Sequence, residues 1–135
     1  MSREILLDTN ALLWLVADPG RIEPVVLEQL LDLDSTLMVS AVSAWEMAIK
    51  TRSGRLPGGD ALVSAWSEAV SGLRAQHLPV EPDDALLAGS LDWSHRDPVD
   101  RMLVAQARRH MVLASSDDVI LGAALVPTLD TRRGR

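Results

Sequence analysis

Short apolar runs separated by longer amphipathic stretches set the rhythm of this chain. Glu4-Ile5-Leu6-Leu7-Asp8 reads as a brief buried strand that ends in a carboxylate. Residues 10–17 carry a helical pattern, and Asp18-Pro19-Gly20 stops it. A second helix is predicted over residues 23–33, with Pro24 in its first turn and Val26, Leu27, Leu30 and Leu31 as its apolar face. Residues 36–39 form the next strand, and Ser40 or Ser43 caps a helix that runs to about Ser53. Residues 52–59, rich in Gly and Arg, are the clearest loop, with Asp60 as the expected cap of a helix reaching Leu73.

The second half repeats the alternation. Residues 77–80 suggest a short edge strand, and helices follow over 83–91 and 98–110. Residues 111–114 read as a third buried strand, leading into Ser115-Ser116-Asp117-Asp118, and residues 126–129 as a last strand. Strands alternating with helices imply an α/β fold whose parallel sheet is joined by crossovers. At 135 residues the chain fits one domain, assigned to residues 1–130, with 131–135 as a basic tail expected to fray. The stretches 25–33 and 62–73 are apolar enough to suggest a helical face that packs on another subunit.

Composition narrows the chemistry. There is no Cys, which removes disulfides, thiol nucleophiles and zinc-thiolate sites. The opening Met-Ser-Arg-Glu reaches an acid at Asp8 without a signal-peptide pattern, and the apolar runs 11–17 and 119–126 are far too short to span a bilayer. A soluble cytoplasmic protein with no membrane partner is expected. The net charge of −6 speaks at first against nucleic acid. The charges are unevenly placed, however, with acids dense between Asp83 and Asp100, and twelve Arg accompanying the single Lys50. Arg suits bidentate contact with phosphate. An acidic cleft neutralised by metal and rimmed by Arg would accept RNA, and with four Trp but no Phe or Tyr it would grip the backbone more than stack on bases.

The carboxylates carry that possibility. Asp8 and the pair Asp117-Asp118 follow predicted strands, where ligands of open α/β sheets bind, although helix capping explains each one singly. Glu46 lies beside the apolar stripe of its helix at Val42 and Ile49, or else forms an i,i+4 pair with Lys50. In Asp97-Pro98-Val99-Asp100, Pro98 takes the first helical position and Asp97 caps. Asp100 shares a face with Leu103, Val104 and Ala107, as an inward ligand or a first-turn acid. Unit charges ~5 Å apart repel by roughly 3 kcal/mol per pair at an effective dielectric of about 20, so four converging acids call for a cation. Their oxygens suit Mg²⁺, with Mn²⁺ as the alternative ion. No nucleophile elbow or Walker loop competes.

Taken in order, Ile5-Leu6-Leu7-Asp8-Thr9-Asn10, Ser43-Ala44-Trp45-Glu46-Met47-Ala48-Ile49-Lys50, the run from His95 through Asp100 to Ala107, and Leu113-Ala114-Ser115-Ser116-Asp117 resemble the VapC-type PIN-domain toxins of type II toxin–antitoxin systems. The ordered set covers nearly the whole chain. The resemblance implies a PIN-like three-layer α/β/α domain with a short central parallel sheet, and metal-dependent endoribonuclease activity. It also implies homodimers and inhibition by a VapB-like antitoxin. Asp8, Glu46, Asp100 and Asp117 match the family's acidic residues, with Asp8, Asp100 and Asp117 as metal ligands. Ser115 matches a supporting hydroxyl where the family more often has Thr, and Asn10 supports the same site. Asp118 beside Asp117 competes for the fourth position on spacing alone. His95 is read as supporting, His77 and His110 as packed or partly exposed, and the four Trp as core or interface. The rivals are a receiver-like Mg²⁺-binding domain, which would need a Lys after a late strand, and a PIN-fold module that binds a partner without cutting RNA.

Overall fold

The computed structural model describes residues 3–134. Its centre is a five-stranded sheet in the order β3-β2-β1-β4-β5, formed by Arg3–Leu7 (β1), Ser35–Ser40 (β2), Gln76–Leu78 (β3), Val112–Ser115 (β4) and Thr128–Asp130 (β5). Every pairing is parallel, and β1 lies between β2 and β4 with Leu6 opposite both Met38 and Leu113. A strand buried on both faces needs apolar residues at consecutive positions, and Ile5, Leu6 and Leu7 are fully buried.

Alternation of side chains divides those residues between two cores. Ile5 and Leu7 pack with Leu37 and Val39 against Thr9–Ala17 (α1), Pro24–Leu31 (α2), Gly59–Ser64 (α4) and Trp66–Gly72 (α5). Leu6 packs with Met38 and Leu113 against Pro82–Ser90 (α6), Pro98–Ala107 (α7) and Asp118–Ala123 (α8). Ala41–Arg52 (α3) contributes Met47 to the first core and Val42 to the second. The result is the expected α/β architecture, helices on both faces of a short parallel sheet. Among the described residues no helix is long and apolar enough to cross a membrane.

Several boundaries differ from the sequence reading. Helix α2 stops at Leu31 because Asp32 turns the chain, its carboxylate accepting the Asp34 N–H at 2.8 Å, and Leu33 is left exposed. The single helix expected from Asp60 to Leu73 is two, broken at Ala65, and Gly58 with φ 79° occupies the cap position that Asp60 was expected to take. Leu62 and Val70 point into the core, so the second apolar stretch offers little free surface, while Val25, Leu31 and Leu33 are well exposed. Helix α7 ends at Ala107, three residues early, where His110 adopts φ 70° and turns the chain into β4. Helix α8 was not anticipated, since residues 119–126 form an apolar run without clear period. Strand β5 begins two residues late, at Thr128. Trp45 lies outside the core, at 54% exposure.

The tail expected to fray is tied in as far as Arg133, whose Nε donates to the Ile22 carbonyl at 3.4 Å. Thr131 is fully buried; its N–H donates to the Ser115 carbonyl at 3.0 Å and its carbonyl accepts from the Glu23 N–H at 3.0 Å. Arg132 pairs with Asp130 and Asp118. Arg135, the last residue of that expected tail, lies outside the described residues.

One side chain holds the approach to α7. The Arg101 guanidinium donates to the carbonyls of Ala88, Leu91, Trp93 and His95 at 2.7–2.9 Å. These groups belong to the end of α6 and the loop beyond it, where helical carbonyls lack partners. Replacing Arg101 with Met is expected to cost about 2 kcal/mol of stability, the order for hydrogen bonds to a charged group. Urea denaturation measures it, and a loss under about 0.5 kcal/mol, ordinary for a surface substitution, would show that water replaces the guanidinium freely.

Candidate active site

The strand order reverses direction between β1 and β4, and in open α/β sheets that switch point, at the carboxyl ends of the strands, is where ligands bind. Asp8 follows β1 there, and its N–H donates to the Ala114 carbonyl of β4 at 3.0 Å. Asp117 stands just past the end of β4. Both lie on a cleft of about 310 Å³ that is also lined by Thr9, Asn10, Glu46, Lys50, Asp97 and Asp100.

Asp8 is 5% exposed and caps α1, accepting the Ala11 N–H at 2.7 Å. Burial pushes its carboxyl up to about 6, against the Ser115 hydroxyl and the Ala11 N–H, which favour the charged form. Nearby Asp100 and Asp117 add to the rise. Asp100 sits in the first turn of α7 and is also raised, by burial first, with Asp97 and Asp117 adding and the His95 hydrogen bond opposing. His95 Nε2 lies 2.7 Å from Asp100 Oδ2, and its ring stands 4.9 Å from that of Trp93.

Asp117 caps α8 by accepting the Val119 N–H at 2.7 Å. The buried Ser115 hydroxyl favours the charged form of the Asp8 carboxylate and accepts the Asp117 N–H at 3.0 Å, so one side chain serves both acids. Asp118 points elsewhere, with its side chain 84% exposed and paired with Arg132, so Asp117 is the acid that faces the cleft. Asn10 donates from Nδ2 to the Ser116 hydroxyl at 3.0 Å, joining the start of α1 to the turn before α8. Thr9 donates to Ser43 at 3.0 Å and anchors that same start to α3. Glu46 lines the cleft from α3 while its carboxylate is 3.4 Å from Lys50 Nζ.

Asp8, Asp97 and Asp117 each cap a helix and line the cleft at once. The starts of α1, α7 and α8 therefore meet here, and their N–H groups and dipoles partly offset the repulsion among the acids. Sequence reasoning placed Asp97 only as a cap and did not place Lys50 in the site. The Lys50 signal was present in its i,i+4 spacing from Glu46, which puts both on one helix face. Among the described residues no three His, Asp or Glu side chains close on one point as a ready ligand set.

An α/β domain with an acid cleft at the switch point of a parallel sheet is a class of proteins rather than one protein. The sequence profile of the PIN domain matches residues 5–132, and the chain belongs to the PIN domain family. PIN domains are generally nucleases, typically dependent on a divalent metal. Among curated proteins none matches the chain in sequence. Among solved structures, the chain is similar to VapBC2 from Rickettsia felis bound to a promoter DNA fragment, at TM-score 0.70 and 12% identity over 95% of this chain and 98% of that one. It is also similar to VapBC-1 from nontypeable Haemophilus influenzae, at TM-score 0.64 and 19% identity over 94% and 97%. FitAcB from Neisseria gonorrhoeae matches at TM-score 0.61 and 22% identity over 93% and 96%. Identities this low establish the shared fold.

Proposed function

We propose that this chain is a metal-dependent endoribonuclease of the VapC toxin type, cutting RNA phosphodiester bonds at the carboxylate cleft. The observation that carries the reading is a single cleft lined by Asp8, Asp100 and Asp117, with Asp8 buried and its carboxyl pushed up to about 6 by burial. A buried carboxylate that resists ionisation, as Asp8 does, is short of positive charge, and a hard divalent cation is the partner its oxygens fit. Asp8, Asp100 and Asp117 are the residues that would hold Mg²⁺, or Mn²⁺ in its place.

The bound ion would supply an activated water and stabilise charge on the leaving oxygen. The chain's own groups have separate tasks. Ser115 orients the Asp8 carboxylate, and His95 orients Asp100 through its hydrogen bond. Glu46, which also lines the cleft, would take a proton from an attacking water, while Asn10 ties the start of α1 to the turn before α8.

The structural neighbours are VapBC and FitAB toxin–antitoxin complexes, which supports a VapB-like antitoxin as partner. The exposed Val25, Leu31 and Leu33 support a homodimer of the free chain. We place the protein in the cytoplasm, with its RNA substrate. The test is cleavage of total RNA and a single-stranded oligoribonucleotide by purified protein. Cleavage is expected with Mg²⁺ and is expected to stop in excess EDTA. Undiminished cleavage in EDTA would overturn the metal mechanism, and no cleavage with either ion would overturn the nuclease reading.

A further inference from the structure

We infer that Lys50 is a substrate-contacting residue of this cleft, whose ammonium binds a phosphate oxygen of the RNA backbone. The inference rests on the nuclease reading above. Five carboxylates line the cleft, those of Asp8, Glu46, Asp97, Asp100 and Asp117, and Lys50 is the one cationic residue among the lining residues. A divalent cation offsets only part of that charge, so an incoming polyanion still meets a negative wall. Lys50 is the group of the protein that answers it.

Its geometry fits the task. The residue stands near the end of α3, its side chain 41% exposed, with Nζ 3.4 Å from the Glu46 carboxylate at the edge of the cleft. The Glu46 side chain is only 15% exposed, so the pair lies with its carboxylate inward and its ammonium outward. A flexible four-carbon stem lets an ammonium move between two anions. As a helix pair alone this contact contributes little to stability. The nearby Arg52 and Arg55 are also exposed, so positive charge continues outward from the cleft along the end of α3 and its following loop.

The experiment compares wild type with Lys50→Met and Lys50→Arg. In the Met variant kcat/KM is expected to fall about tenfold, mostly through KM, as a lost ion contact with substrate would give. The Arg variant is expected to recover most of the loss. The slope of log(kcat/KM) against log[salt] should flatten by about 0.7, the value for one phosphate contact on a single strand. Fluorescence anisotropy of a labelled oligoribonucleotide, with Lys50→Met placed on an Asp100→Asn background, is expected to show the same change in slope for binding. The melting temperature should hardly move. If Lys50 serves only to orient Glu46, kcat falls while both salt slopes stay as in wild type, and the assignment is overturned although the nuclease reading stands. Absence of metal-dependent cleavage in the wild type overturns that reading, and this assignment with it.

Discussion

Asp8→Asn is expected to stabilise the metal-free protein at pH 7 by about 3 kcal/mol, the equivalent of the rise of its carboxyl from 3.8 to about 6. The folded chain holds this proton more tightly than the unfolded chain does. Between pH 3.8 and about 6 the folded form therefore binds more protons, and stability falls as pH rises through that window. Below it the group is neutral in both states; above it the full penalty of a buried charge remains. Asn keeps an oxygen for the Ala11 N–H and the Ser115 hydroxyl, so the cap survives while the charge goes. Urea denaturation in EDTA from pH 4 to 7 isolates the effect as the difference between the two proteins. That difference should grow from near zero at pH 4 to its full value by pH 7. A mutant less stable than wild type at pH 7 would mean that Asp8 is stabilised in its charged form, as an ordinary cap is.

Asp100→Asn is expected to lower RNA cleavage by about 10³-fold or more. Losing one preorganised group at a charge-stabilising site costs about 10²–10³-fold, and even groups behind metal ligands cost 10–100-fold in affinity or activity. The same variant should melt slightly higher than wild type in EDTA, because burial and the facing Asp97 and Asp117 all disfavour the charged Asp100. It should also lose most of the rise in melting temperature that Mg²⁺ produces in the wild type. That rise is measurable, since a ligand at a hundred times its dissociation constant adds about 2.7 kcal/mol. If Asp100 were only a first-turn acid, Asn would cost roughly 0.3–1 kcal/mol through the helix dipole. A variant that melts lower without metal, yet responds to Mg²⁺ as wild type does, would refute a shared metal site.

For each acid the sequence posed a choice, cap or ligand, pair or site, and in the fold the cap or the pair itself lies on the cleft. Asp8 caps α1 and lines the cleft; Glu46 pairs with Lys50 and lines the same cleft. The choice arose because capping is a local property that one segment reveals. Convergence is a property of three helix starts and two strand ends from distant parts of the chain. The choice between Asp117 and Asp118 was open for the same reason. It turns on Arg132, fourteen residues away, which engages Asp118 and leaves Asp117 toward the cleft.

Local chemistry by itself determined roughly where the strands lie and that Pro98 opens α7 with Asp97 before it, while the choice of Ser40 over Ser43 as the cap of α3 came from the structure. A buried parallel strand must be apolar at every position, and a helix start must satisfy its own N–H groups; both demands are written within a few residues. The ordered acids likewise marked the family, because their spacing follows the strands and helices that carry them. Only tertiary structure decided that residues 118–123 are helical, that the run from Asp60 to Leu73 breaks at Ala65, and that Thr131 is buried beside β4. It also decided which groups serve the acids from behind, Ser115 between Asp8 and Asp117, His95 on Asp100, and Arg101 on the loop that carries His95. Those partners are set by the crossing of elements far apart in sequence, and no local periodicity encodes them.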